Sequence, residues 1–510
     1  MPLLKARAAL VPDRIAVRMS DDTAAALTFA ELDRRADAVA RWLLSLGLAA
    51  GEAVALLLEN RLELPELWFG ARRAGLYYVP IAVQLTAGEI AYILRDSGAR
   101  ALVTSPAFAD RIAALPDGLA PLRASLGGPV DGCIALEPAL DRHRDGGPLP
   151  ERALGRELFY SSGTTGRPKG VRRPTTPFAQ RADLPPFERT LRGLFSFDEH
   201  AVYLSPSPLY HATGRFVIRA IEGGGTSVIM PRFDAAAALA AIDRWGITHS
   251  HWVPTMFVRM LALPDAVRAT YVGRTHRVAI HAAAPCPPEV KQRMIDWWGP
   301  IVEEYYGGTE NVGLTYLSSA QWLAHRGSVG RALVGTIHVV DDDGRELPVG
   351  GIGLIRFSGG PTFEYLNDPD KTRAAIDERG WASYGDIGRV DAEGYLYISD
   401  RRTDLILSGG VNVYPQEIEN VLLEHPAVAD AAVIGVPDPE FGERVMALVE
   451  TRDAVAAAGS DALREALHAH CAARLSRIKC PREIVFEARL PRSDTGKLLR
   501  RVLKDRYRQA

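Results

Sequence analysis

Tyr160-Ser161-Ser162-Gly163-Thr164-Thr165-Gly166-Arg167-Pro168-Lys169-Gly170 gathers three glycines, four hydroxyl side chains after Tyr160 and two cations into one short loop. Glycine admits positive φ and lets backbone N–H groups approach a ligand closely. Successive N–H groups in such a turn form an anion-binding concavity. The hydroxyls add donors, and Arg167 and Lys169 add positive charge. The guest these features suit is a polyphosphate. A flexible linker would be Gly/Ser-rich and uncharged, which the Thr, Arg, Pro and Lys contradict. A Walker A loop requires Gly-x-x-x-x-Gly-Lys-Ser/Thr, but Gly163 and Gly166 stand too close together and Gly170 follows Lys169. The stretch is a phosphate loop of another kind.

Upstream of the loop the chain alternates helix and strand. Thr28-Phe29-Ala30-Glu31 reads as a capping box, with Leu32, Ala36, Val39 and Leu43 on one helical face and Gly47 closing it. Ala53–Leu58 is a continuous apolar run, the pattern of a strand buried on both sides in a parallel sheet. Helix is expected over Leu64–Ala74 and Ala87–Ser97, strand over Tyr77–Ile81 and Ala101–Thr104. This is an α/β domain. Residues 105–155, rich in Pro, Gly and Asp, read as irregular.

Downstream, Ala201–Leu204 reads as a strand leading into Pro208-Leu209-Tyr210-His211, with a helix from Arg215 to Ala220. His211 on its own reads as a helix cap. His249 and His251 share one strand face; a structural pair fits better than a metal site, because no third ligand is near. Glu303-Glu304-Tyr305-Tyr306-Gly307-Gly308-Thr309-Glu310 puts a carboxylate in an apolar-looking turn, which is costly unless it is paired or metal-bound. The alternative is a helix N-cap at Thr309. From Val329 to Tyr365 short strands and turns make a β-rich subdomain, with Asp341-Asp342-Asp343-Gly344 as a hairpin turn rather than a cation loop. Tyr384-Gly385-Asp386, Asp400-Arg401-Arg402-Thr403-Asp404, Ser408-Gly409-Gly410 and Ser493-Asp494-Thr495-Gly496-Lys497 follow in turn.

The full chain has 510 residues, enough for two or more domains, and an ordinary globular composition. A formal net charge of −2 implies no nucleic-acid or membrane partner through bulk charge. Cys133, Cys286, Cys471 and Cys480 lack metal-ligand spacing, and so few cysteines suit reduced thiols in the cytoplasm. No secretory leader is read, and no run approaches the ~18 apolar residues that span a bilayer.

On these motifs the chain resembles, over nearly its whole length, the adenylate-forming superfamily of acyl-CoA synthetases, aryl-CoA ligases, peptide-synthetase adenylation domains and beetle luciferases. The resemblance implies an α/β fold: a large N-terminal domain over 1–400 with parallel-rich sheets and a β-rich subdomain, a hinge at 401–404, and a small mobile α+β domain over 405–510. It implies ATP, Mg²⁺ and CoA. Ser161, Ser162, Gly163, Thr164, Thr165, Gly166 and Lys169 would hold the phosphates. Ala283, Ala284, Tyr305, Tyr306 and Gly307 would border the nucleotide. Thr309 and Glu310 would serve the phosphates and Mg²⁺, with Thr164 also on the metal. His211 would line or gate the acyl site. Asp386 and Arg401 would take the ribose, and Gly409 and Gly410 would flank the pantetheine tunnel. Lys497 would bring carboxylate and α-phosphate together. Here Ala282 replaces the usual Gly, Tyr384 the usual Thr, and Thr403 the usual Asp or Lys pivot.

The implied activity is AMP-forming ligation of a fatty, aromatic or steroid-side-chain acid to CoA. Rivals are an adenylase making an amide or loading a carrier protein, a luciferase-like oxygenase, and a silent acyl- or nucleotide-binding protein. Arg477, Lys479 and Arg482 are either contacts for CoA phosphates or solvated surface charge. A homodimer is the default assembly.

Overall fold

The structure, a computed structural model, describes residues 3–161, 168–401, 403–408, 411–439, 441–452, 461–493 and 496–507. Helix Phe29–Ser45 opens where the sequence places it. Thr28 accepts from the Glu31 N–H, and Glu31 accepts from the Thr28 N–H at 2.8 Å, so two orphan donors are satisfied at once. Leu32, Ala36, Val39 and Leu43 are all buried. Strand Ala53–Leu57 is buried at every position. It lies second in an all-parallel sheet ordered Tyr77–Pro80, Ala53–Leu57, Ala101–Thr104, Leu122–Ser125, Ile134–Ala135. The last two strands, with helices Ala109–Ala113 and Leu136–Asp141, fall in the segment read as irregular. Elements this short show no periodicity of their own and are recruited by the sheet edge they extend.

A nine-stranded sheet forms the second layer, ordered Arg331–Val334, Leu314–Leu317, Val302–Tyr306, Val278–His281, His249–Trp252, Val202–Ser205, Thr226–Ile229, Ile15–Met19, Ala26–Thr28. The run from Val302–Tyr306 to Ile15–Met19 is parallel throughout. The strands at either end of that run are antiparallel to it. The parallel run therefore ends several strands along one edge, and the loops leaving it face one another.

Thr336–Val340, Gly353–Ser358, Asp386–Val390 and Leu396–Arg401 make an antiparallel four-stranded sheet, the β-rich part read from the sequence. Asp341–Gly344 is its hairpin turn: the Gly344 N–H donates to the Asp341 carbonyl at 3.1 Å, with φ 80°. Phe159–Ser161 and Lys169–Arg172, the strands flanking the glycine-rich loop, pair with each other and with Glu364–Tyr365. The C-terminal part builds its own sheet from Val411–Val413, Ile406–Ser408, Gly442–Thr451 and Val428–Asp438, with Glu483–Phe486 parallel to Gly442–Thr451. Helices Pro415–Leu423 and Asp461–Ala472 cover it through Ile418, Leu422 and Leu467. The chain thus has a large N-terminal α/β domain and a smaller C-terminal one. Among the described residues, no helix is long and apolar enough to cross a membrane.

Candidate active site

Loops leave the parallel strands at residues 206–213, 253–254, 282–287 and 307–313, all beyond carboxyl ends. In open α/β sheets ligands collect on that edge. Buried Asn60 pins the first of these loops. Its Nδ2 donates to the carbonyls of Ser207 at 3.0 Å and Met230 at 2.8 Å, and its Oδ1 accepts from the Leu209 N–H at 2.8 Å. No sequence motif marks Asn60, because its partners lie 147 to 170 residues away. His211 stands half-buried with its ring 4.7 Å from that of Tyr210. The next helix, Gly214–Gly223, has Thr213 at its N-cap without a side-chain cap bond, and His211 stands two residues before it.

Thr309 and Glu310 lie in the turn that joins antiparallel strands Val302–Tyr306 and Leu314–Leu317. No helix begins there, which removes the N-cap alternative. The buried Glu310 carboxylate accepts a 2.8 Å hydrogen bond from the Tyr365 hydroxyl on Oε1. A Cβ at Gly308 would stand 2.8 Å from Glu310 Oε2 and 2.4 Å from the Tyr384 ring, so glycine is required to leave that oxygen open. Lys169 Nζ sits 4.8 Å above the Tyr365 ring. Burial first, then Lys371, holds its ammonium pKa below the usual value, while Glu310 opposes the shift. Tyr384 ties the turn from the far side: its hydroxyl donates to the Gly313 carbonyl at 2.8 Å and accepts from the Gly313 N–H at 3.2 Å. The departure from the usual Thr thus serves a second purpose, bracing the turn.

Asp386 begins strand Asp386–Val390 and pairs in register with Arg401 on the neighbouring strand. It is buried, accepts from the Tyr306 hydroxyl at 2.5 Å, and lies 3.5 Å from Arg401 Nε. Burial raises its pKa; Arg401, Tyr306 and Lys497 act against that. Lys497 of the C-terminal domain is thus near enough for its charge to act on this carboxylate. Burial, then Arg401, push its ammonium pKa down to about 8, and Asp404 and Asp386 resist. The preceding residue fixes the approach: Gly496 has φ +75°, and a Cβ there would lie 1.9 Å from Thr255 Oγ1. Ala283 also has φ 75°, in the left-handed region, and is exposed. The strained residue of the Ala282–Ala284 turn is thus Ala283, and buried Ala282 holds the position where glycine is usual.

Tyr305 faces the other way, into the sheet layer, 5.9 Å from the rings of Phe216 and His251. His249 and His251 are buried, and burial pushes their pKa values down to about 4 and about 3. Nε2 of His249 bonds the Phe195 carbonyl at 2.7 Å. Among the described residues, no group of three or more His, Cys, Asp or Glu is placed to hold a metal. Lys479 pairs with Glu417 at 2.8 Å, and Arg482 lies 3.5 Å from Asp438 and 4.0 Å from the Phe441 ring. Ser162, Gly163, Thr164, Thr165, Gly166, Gly409 and Gly410 lie outside the described residues, as does the Ser161 side chain.

This arrangement sets out the paired strands that flank the glycine-rich loop, a buried carboxylate in a glycine turn, the Asp386–Arg401 pair and a lysine from a second domain. The AMP-binding enzyme family model matches residues 4–364, and the AMP-binding enzyme C-terminal domain model matches residues 417–497. The chain belongs to the AMP-binding enzyme family, the adenylate-forming superfamily, on its AMP-forming acid–CoA ligase branch. It is 33% identical over 520 residues to the long-chain-fatty-acid–CoA ligase FadD13 of Mycobacterium tuberculosis, covering 99% of this chain and 98% of that one. It is 35% identical over 514 residues to the sulfoacetate–CoA ligase of Cupriavidus necator, covering 98% and 96%. Its fold matches the crystal structure of ATP-bound MatB from Rhodopseudomonas palustris with a TM-score of 0.84 at 30% identity, covering 100% and 99% of the two chains.

Proposed function

We propose that the chain joins a carboxylic acid to CoA in two steps at one site. A carboxylate oxygen attacks the α-phosphorus of ATP, the bond to pyrophosphate breaks, and an acyl-adenylate forms. The CoA thiol, losing its proton, then attacks the acyl carbon, and AMP leaves. The observation that carries this reading is the close approach of Gly496, next to Lys497 in the C-terminal domain, to Thr255 of the N-terminal domain, beside the Asp386–Arg401 pair on which the Lys497 charge acts.

The first step brings two anions together, so it depends on positioning and charge stabilisation. Lys497 supplies the positive charge between carboxylate and α-phosphate. Asp386, oriented by Tyr306 and Arg401, accepts from the ribose hydroxyls. Lys169 and the hairpin loop 161–166 hold the phosphates. Ala283, Ala284, Tyr306 and Gly307 border the base, and His211 lines the mouth of the acyl pocket. Glu310 Oε2, kept clear by Gly308, suits a hard cation that takes one carboxylate oxygen and keeps water and phosphate as its other ligands. Bound by Glu310 with Thr309 and Thr164, Mg²⁺ would neutralise charge on the phosphate oxygens.

The domains divide at 1–400 and 405–510, with the hinge at 401–404. Rotation there would withdraw Lys497 and present Gly409 and Gly410 to the pantetheine arm. The acid belongs among fatty, aromatic or steroid-side-chain acids, a span supported by relatives named for fatty, feruloyl and succinylbenzoate substrates. A cytoplasmic location suits four free cysteines, and a homodimer is the expected assembly. One relative, 33% identical, is named a fatty acid–acyl-carrier-protein ligase, so the acceptor is the point to test. AMP release measured with and without CoA should depend on CoA; release that depends on a carrier protein or an amine, and not on CoA, overturns this reading.

A further inference from the structure

Helix Gly214–Gly223 is buried along its whole length, yet it carries Arg215, Arg219 and Glu222. These residues are three or four apart and share one face; beside it Phe216 packs on the sheet against His251 and Tyr305, and the Arg219 guanidinium lies over the Phe216 ring, 4.5 Å from its centroid. The three charged residues line a cavity of about 100 Å³, whose wall also includes Leu4, Leu184 and Pro185. At roughly 30 Å³ per water, it has room for about three waters or one small polar head group.

The charges around this cavity do not balance among the described residues. Arg72 pairs with Glu222 at 2.9 Å, and Arg219 with Glu188 at 2.6 Å. Glu157, by contrast, is shared by three guanidinium groups: Arg173 in direct contact, Arg215 at 3.0 Å and Arg156 at 3.6 Å. Five cations thus meet three carboxylates. Arg73, also on the wall, is matched by Asp33 and Asp37, and Arg181 and Asp183 add one charge of each sign to the lining. Excess buried charge is costly without a counter-charge, and an alkyl tail entering here would strip water from guanidinium groups and give nothing in return.

Arg215 connects this cavity to the reaction turn. Its Nη1 donates to Asn311 Oδ1 at 3.1 Å, and its Nη2 lies 3.5 Å from the Thr309 carbonyl. One guanidinium group is therefore both a wall of the cavity and a neighbour of the turn assigned above to the phosphates. We propose that the acid this enzyme activates carries a second anionic group, a carboxylate or sulfonate, at its far end, and that Arg215 and Arg219 bind that group in the cavity. The proposal rests on the ligase reading and narrows its substrate class.

Pyrophosphate exchange on the wild-type enzyme, with acids matched in length, tests it: succinate and 3-sulfopropionate against butyrate, adipate against hexanoate, terephthalate against 4-methylbenzoate. The expected result is at least a tenfold higher kcat/KM for the anionic-tailed member of a pair. Arg215→Met and Arg219→Met should each lower that member's kcat/KM at least tenfold more than its partner's. A wild type that prefers the plain monocarboxylates overturns the inference and leaves the ligase reading standing, even if neither variant folds. Equal losses on both members in both variants also overturn it. No exchange with any of these acids also overturns the inference and leaves the ligase reading standing, since that reading admits longer and polycyclic acids.

Discussion

Lys497 is the residue on which the chemistry turns, and its surroundings set a pH limit. Burial and Arg401 bring its pKa down to about 8, so the ammonium is present below that pH and lost above it. Because kcat/KM reports the free enzyme, kcat/KM for ATP should fall as pH rises through about 8. Lys497→Arg, protonated throughout, should show no such fall, whatever its absolute rate. A wild-type profile flat to pH 10 would contradict the placement. At this scale the sequence displayed the residues that sit in compact motifs: Lys497, Asp386, Arg401 and Glu310 each belong to a run of recognisable neighbours. Tyr365, which holds Glu310, and Asn60, which pins the 206–211 loop, belong to no motif. Each contacts its partner across 55 residues or more, and only folding brings them together.

Asn60 also shows how single elements are held in place. It satisfies one donor and two acceptors of backbone in two different segments, the 206–213 loop and Met230. Leaving such groups unpaired costs about 1–3 kcal/mol each, partly relieved by water. Asn60→Ala should therefore destabilise the N-terminal domain by about 2–4 kcal/mol, read by denaturant unfolding, and raise KM for the acid more than for ATP. A stability change within about 0.5 kcal/mol of wild type, the range of ordinary surface substitutions, would contradict it. Elements with clean periodicity or caps were legible: helix Ala87–Ser97 runs between the residues expected, and strand Ala53–Leu57 is buried on both faces. The short strands Leu122–Ser125 and Ile134–Ala135 were not, because edge pairing creates them. Helix Gly214–Gly223 was legible as a helix but not in character. Phe216, Val217 and Ile218 read as plain core, and nothing local showed that Arg215 and Arg219 would be buried beside them.

For the whole molecule, the two-domain plan explains why one chain performs two chemically different steps. Arg401 ends a strand of the N-terminal domain. Just beyond it, the Thr403 carbonyl accepts from Lys504 Nζ at 3.3 Å, and Arg500 reaches Asp404 at 3.3 Å and Glu419 at 2.7 Å. The proposed pivot is thus clasped by the last helix of the C-terminal domain. Proline fixes φ near −65°, so Thr403→Pro should slow thioester formation more than pyrophosphate exchange. Equal losses in both would count against a hinge at this position. The sequence announced two domains through motifs 300 residues apart. Which domain arrangement the chain adopts follows from contacts no motif encodes, such as Gly496 against Thr255.

The most direct test of the account separates the two half-reactions in Lys497→Ala: pyrophosphate exchange with acid and ATP, and thioester formation from CoA and acyl-adenylate supplied ready-made. Loss of one preorganised positive group at the transition state predicts roughly 10²–10³-fold slower exchange, with thioester formation much less affected. Exchange at near wild-type rate, or equal loss of both half-reactions, would contradict the claim that a lysine from the small domain completes the adenylation site.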